Sequence, residues 1–309
     1  MTFGRAELVV DSRCGTGESP VWSVAEQALF WVDIPGRALH RWSADGHVQW
    51  QCDEMIACIA PHAPTAGHPP GQWIAGMESG IFTVEPGDGG RLAATPVAQV
   101  AHATAGMRFN DGRCDRQGRF VAGTMLLDMA VGARVGCVYS LEAGQGGLRL
   151  LLDDLIVPNG LAWSPDGRTM YLSDSHPSVQ TIWAFDYDTD SGTPSNRRVF
   201  VDMNPLPGRP DGAAIDADGC YWICGNDAGL VHRFTPDGKL DRSLAVPVKK
   251  PAMCAFGGPK LDTLFVTSIR PGGIDLSDQP LAGGVFALRP GTQGIEEPSF
   301  GLSFQSARS

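Results

Sequence analysis

The feature that most constrains this 309-residue chain is an internal repeat. The stretch from Val157 to Ser175, VPNGLAWSPDGRTMYLSDS, runs from a polar residue through a short apolar strand and a tight SPDG turn into a second strand. TIWAFDYDTDSG then adds a third strand and another turn. Six such units can be laid along the chain. Asn110 and Asn159 are about 49 residues apart, Asn159 and Asp211 about 52, and Glu18 and Asn110 about 92, or two repeats. Repeats of roughly 40–50 residues with several short strands each are what propeller blades require. Helical periodicity is weak, and runs rich in Val, Ile, Phe, Trp and Tyr are bounded by turn-forming clusters. The 39 glycines and 23 prolines fit many tight turns. The expectation is a single all-β domain over residues 1–309, a six-bladed β-propeller with four-stranded blades and no substantial helix. The strand in AELVVDS has no unit of its own. It is expected to complete the last blade and close the ring.

The register of the repeat singles out candidate functional residues. From Asn110, Asn159 and Asp211 the next hairpin turn begins five residues on, at Asp115, Ser164 and Asp216, and the same offset from Glu18 reaches Ser23. Equivalent positions at the start of a propeller's inner strands surround the central axis, so these four residues should converge. They offer only oxygen donors, two anionic and two neutral among these side chains, which is the set hard divalent cations prefer. A lone Asn-Gly or Asp-Gly would be read as a turn. Four in register, one of them a Glu, point to a site instead. Arg108 lies two residues before Asn110 and points to the same face of an extended strand, where it can hold a substrate hydroxyl or carboxylate. Asp128 follows the second strand of the third unit and can reach the channel mouth. His176 reads as a loop residue, and His40, His47 and His232 fall in outer strands or turns.

Composition excludes other classes. Lys plus Arg number 24 against 34 Asp plus Glu, a formal charge of −10, which argues against nucleic acid as a partner. No apolar run approaches the roughly 20 residues that span a bilayer, and MTFGRAELVVDS lacks the apolar core of a secretory signal. A soluble cytoplasmic protein without membrane partners is expected. The eight cysteines form no CxxC pair, so buried free thiols are expected rather than disulfides or a soft-metal site. In CYWIC, strand alternation places Cys220 and Cys224 on one face with Trp222. No GxSxG occurs, which leaves a nucleophile-elbow hydrolase unsupported.

The motifs GESPVW, RFNDGRCD, GRFVAGTM, VPNGLAWSPDG, YLSDS, IWAFDYD, RPDGAAID, FGGPKLDTLFVTS and LAGGVFAL together resemble the sugar lactonases grouped as SMP-30/gluconolactonase/regucalcin-like proteins. The similarity runs from about Glu18 to about Leu288. The resemblance implies a six-bladed propeller with one divalent metal in its axial channel, whether Ca2+, Zn2+, Mn2+, Mg2+ or Fe2+. It implies hydrolysis of an aldono- or aldarolactone to the open-chain acid. By matching motifs, Glu18, Asn159 and Asp211 look like metal ligands, and Arg108 and Asn110 like substrate contacts. Asp128 falls where relatives often carry a Glu that contacts sugar hydroxyls. Asp211, a ligand able to reach an attacking water, is the best candidate general base. Two alternatives stay open: a phosphotriesterase or arylesterase on the same fold, and a non-catalytic calcium-binding or regulatory propeller.

Overall fold

The computed structural model describes residues 4–64 and 71–301. Short β-rich runs separated by Gly- and Asp-bearing turns fold locally into antiparallel hairpins, and these assemble into six four-stranded sheets. The strand that opens the chain is β1 (Glu7–Val10). Blade 1 comprises β2 (Gly17–Ser23), β3 (Ala28–Asp33), β4 (Ala38–Ser43) and β5 (Gly46–Gln51). Blade 2 holds β6 (Ile56–Pro61), β7 (Trp73–Met77), β8 (Gly80–Pro86) and β9 (Leu92–Gln99). Blade 3 holds β10 (Met107–Cys114), β11 (Phe120–Leu126), β12 (Gly136–Leu141) and β13 (Arg149–Leu155). Blade 4 holds β14 (Pro158–Trp163), β15 (Thr169–Asp174), β16 (Thr181–Asp188) and β17 (Thr193–Asp202). Blade 5 holds β18 (Arg209–Ile215), β19 (Tyr221–Asn226), β20 (Leu230–Phe234) and β21 (Leu240–Ala245).

Blade 6 combines β22 (Pro251–Gly257), β23 (Thr263–Ser268) and β24 (Val285–Leu288) with β1 as its fourth strand. The N-terminal strand pairs Glu7 with Ala287 and Leu8 with Phe286. The ring therefore closes as the orphan strand suggested. The six first strands touch in cyclic order, β2 on β6 through to β22 back on β2.

Burial follows from this geometry. The first strands are packed between neighbours around the axis, and every residue of β10, β14 and β22 is buried. The fourth strands lie at the rim, and β5 and β17 are largely exposed. Aromatic side chains fill the wedges between blades: Trp22 stacks on Phe265, Phe30 meets Trp73, and Trp222 meets Phe256 edge-on. Helical structure among the described residues is confined to two three-residue 3-10 turns, at 88–90 and 129–131. All eight cysteines are free thiols, seven of them buried. Trp222 and Cys224 share one apolar cluster as alternation predicts. Cys220 instead precedes β19, with its amide donating to Asp216.

Candidate functional site on the propeller axis

Each first strand carries an irregular step in its pairing with the second strand at the position the repeat singled out. The shift falls between Glu18 and Val21, Phe109 and Gly112, Asn159 and Ala162, and Pro210 and Ala213. Blades 2 and 6 have the same step between Ile56 and Cys58 and between Pro251 and Cys254. Such bulges bend a strand and re-aim its side chains. In blades 1 and 4 the residue after the bulged position is left-handed, Ser19 at φ 49° and Gly160 at φ 61°. A Cβ at Gly160 would collide with the Tyr221 hydroxyl and Ser173, so only glycine fits there. Ser19 is held by the Ile59 amide, which donates to its Oγ at 2.9 Å.

Hydrogen bonds tie four of the expected residues, Arg108, Asn110, Asn159 and Asp211, to groups around the axis. Arg108 Nη1 donates to Asn110 Oδ1 at 2.8 Å, and Asn110 Nδ2 donates to the Pro158 carbonyl at 3.0 Å. Asn159 Nδ2 donates to Ser175 Oγ at 2.9 Å, and that hydroxyl donates onward to the Pro210 carbonyl. Asn226 Nδ2 donates to Asp211 Oδ2 at 2.5 Å. Asn110 has therefore committed its oxygen to Arg108. Asn159 has committed its nitrogen instead, and its Oδ1 is buried without a hydrogen-bond partner.

The acids here are under electrostatic stress. Burial pushes Glu18 well above the usual carboxylate range, and Asp211 and Asp111 push it further. Burial likewise raises Asp211 to about 7, against the opposing pull of Arg209 and Asn226. Burial lowers the Arg108 guanidinium to about 10, while Glu18 and Asp211 counteract it, so it stays cationic at neutral pH. Crowded buried carboxylates beside an orphaned amide oxygen make a set of donors suited to a cation. Glu18, Asn159 and Asp211 can hold a hard divalent ion of the kind that takes oxygen ligands.

The turn residues five positions on serve a different purpose. Asp216 accepts from the Cys220 and Asp218 amides, Trp222 Nε1 and Arg233. Asp115 accepts from the Gln117 and Arg119 amides, the Arg119 guanidinium and the Tyr187 hydroxyl. These buried carboxylates are satisfied and structural, in contrast to those on the axis.

The end of the axis beside those turns is crossed by the segment 293–301. Glu297 accepts from Arg113 Nη1 at 3.0 Å, while Arg113 Nη2 donates across to the Ala213 carbonyl. The Ala217 amide donates to Gln293, Gly294 to Leu261, Phe300 to Pro61 and Gly301 to Gly118. The segment is thereby tied to blades 2, 3, 5 and 6. A small ligand is left the opposite end as its approach to the acids.

Asp128 lies at that opposite end, beyond the last residue of β11, and is exposed. Its carboxylate caps the 3-10 turn by accepting from the Ala130 amide at 3.1 Å. His176, in the β15–β16 loop as expected, reaches over to the Met129 carbonyl. The structure thus gathers Glu18, Arg108, Asn110, Asn159 and Asp211, and leaves Asp128 on a loop at the rim. Asp111, Asn226 and Ser175 escaped the sequence reading. The repeat does hold a signal for Asn226, which ends β19 as Asp33 ends β3 and Asp174 ends β15.

A six-bladed propeller with an acidic axial cluster, a buried arginine beside it and access from one end defines a class of propellers with a polar axial site. Within that class, this chain belongs to the SMP-30/gluconolactonase/LRE-like family, whose sequence profile matches residues 16–270. It is 39% identical over 290 residues to a 6-deoxy-6-sulfogluconolactonase of Pseudomonas putida, covering 92% of this chain and 94% of that one. It is 35% identical over 312 residues to regucalcin of Gallus gallus, covering 96% and 98%. Among solved structures it superposes on regucalcin from Agrobacterium tumefaciens, described as a calcium-binding protein. The TM-score is 0.86 at 26% identity, with 96% and 97% of the two chains covered.

Proposed function

We propose that this protein hydrolyses a sugar lactone, of aldonic or aldaric type, to the open-chain sugar acid. In this reading Glu18, Asn159 and Asp211 hold one divalent cation. The observation that carries it is the axial cluster itself: acids raised first by burial and then by neighbouring carboxylates, an orphaned Asn159 oxygen and a buried cationic Arg108, in a member of a lactonase family. When bound, the cation supplies Lewis acidity toward the lactone carbonyl and toward water.

The chain's own residues do the rest. Asp211 accepts the proton of the attacking water. Asn226 anchors Asp211 Oδ2, and no hydrogen bond engages Oδ1 among the described residues, which leaves that oxygen available to face the channel. Ionised Asp211 is the form that acts as a base, and a cation held beside it would favour that form. Arg108 orients substrate hydroxyls or the carbonyl and balances negative charge as it develops. Asn110, held by both Arg108 and Pro158, presents a rigid polar edge beside it. Asp128 stands at the rim, where its carboxylate can meet sugar hydroxyls at the channel mouth.

Proton release tests the reading. Gluconolactone, its 6-sulfo analogue, arabinono-, xylono- and galactonolactones and aldarolactones are offered with and without EDTA. Turnover of at least one, abolished by EDTA and restored by a divalent cation, is expected. Absence of turnover across the panel with cation bound would favour the second reading, a calcium-binding regulatory propeller, which draws on the naming of the regucalcin relatives. A cytoplasmic site of action belongs to the proposal and suits eight unpaired thiols.

A further inference from the structure

The segment that carries the chain from β1 in blade 6 to β2 in blade 1 contains Cys14, and it lies against two other potential ligands. Cys14 Sγ is 3.8 Å from His40 Nε2. Together with a carboxylate oxygen of Asp33, these atoms all lie within 4.8 Å of one another. Cys14 and His40 are almost completely buried, at 1% and 2% exposure. We propose that Cys14, Asp33 and His40 form a second metal site, separate from the axial cluster, for a borderline-soft divalent cation of the zinc type at the seam where the ring closes.

The surroundings match what such a site needs. Zinc takes thiolate sulfur at about 2.3 Å and imidazole nitrogen at about 2.0–2.1 Å. In a tetrahedron those bonds put sulfur and nitrogen about 3.5 Å apart, close to the separation present here. A metal-bound histidine is usually oriented through its second nitrogen. His40 Nδ1 is 3.0 Å from His47 Nε2. With that proton donated outward to His47, the unprotonated Nε2 faces Cys14. Trp31 Nε1 donates to Cys14 Sγ at 3.4 Å, an outer contact suited to a thiolate. Asp33 is only half-buried, so water can occupy a fourth position.

The repeat supplies an internal control. Asp33 accepts from the Gly15 and Thr16 amides, and Asp174 accepts from the Ile156 and Val157 amides in the same way. Holding the entry to the first strand is thus a shared backbone duty of this Asp, and it leaves further lone pairs unused. In blade 4 the positions matching Cys14 and His40 by this register are Leu155 and Trp183. Neither can bind a metal. Blade 1 has therefore replaced two apolar residues by a thiol and an imidazole that meet beside an existing carboxylate. Burial pushes the Cys14 thiol up to about 11, which leaves it inert as a nucleophile at neutral pH. Coordination replaces the thiol proton, which passes to solvent.

Cobalt(II) distinguishes this site from the axial one, since only a thiolate ligand gives sulfur-to-cobalt charge-transfer absorption in the near ultraviolet. Metal-free full-length protein is titrated with Co2+, and bound metal is counted by elemental analysis. The expected result is two equivalents bound, with a charge-transfer band that saturates at one. Cys14→Ser should lose the band and one equivalent, while Asp211→Asn should keep the band. Wild-type protein that binds a single equivalent without the band overturns the proposal. So does a band that survives in Cys14→Ser, because the thiolate would then lie elsewhere. Should Cys14→Ser fold poorly, His40→Gln answers the same question, and its retention of both equivalents with an unchanged band is equally fatal.

Discussion

Replacing Asp211 by Asn probes the axial cluster with little change of shape. The two side chains are nearly isosteric, and an Asn oxygen can still accept from Asn226 Nδ2 once its amide is turned that way. What disappears is one negative charge and the proposed base. Loss of a positioned general base costs about 10²–10⁴-fold in rate, and weakened cation binding adds to that. The metal-free proteins should differ in the opposite sense. Asp211 rises from an ordinary 3.8 to about 7 on folding, so the folded state favours its neutral form. Its contribution to stability is intact below about pH 4 and declines as pH rises to about 7. The ceiling on that loss is about 4 kcal/mol, at about 1.4 kcal/mol per unit. Metal-free Asp211→Asn should therefore match wild type at pH 4 and exceed it in Tm at pH 8, while saturating cation restores wild type preferentially. Turnover by proton release at saturating metal, calorimetric cation affinity and thermal melts at both pH values make the comparison. Near-normal turnover with metal bound would refute the assignment of Asp211 as base. A wild-type advantage in the metal-free melt at pH 8 would refute the electrostatic account of the cluster.

Other perturbations separate the remaining roles. Arg108→Ala should keep the cation bound but raise KM and lower kcat/KM by at least tenfold, read from steady-state kinetics beside calorimetry. Gly160→Ala places a Cβ 2.8 Å from Ser173 Oγ at a residue with φ 61°, and should cost about 1–3 kcal/mol in denaturant melts. Deleting residues 1–10 removes β1 and exposes the edge of β24. Loss of cooperative unfolding or aggregation is expected by light scattering and circular dichroism.

Much of this molecule can be read from the order of its residues, and the reason is periodicity. Six hairpin units with a common offset between a polar residue and a turn identify the blades, and AELVVDS stands out as the strand without a unit. Glu18, Asn110, Asn159 and Asp211 stand out for the same reason, since the repeat places them at one depth around one axis. Their differences come only from three-dimensional contacts. Asn110 and Asn159 look alike in sequence, but Arg108 occupies the oxygen of one and Ser175 the nitrogen of the other. Asp111, invisible beside Asn110 in a turn-like NDG, is a buried acid whose charge bears on Glu18. The segment 293–301 has no repeat character, and only its contacts with four blades show that it covers one end of the axis. Cys14, Asp33 and His40 likewise share no recognisable spacing. They meet because closing the ring lays the β1–β2 connection across blade 1, and local pattern carries no information about contacts made by closure.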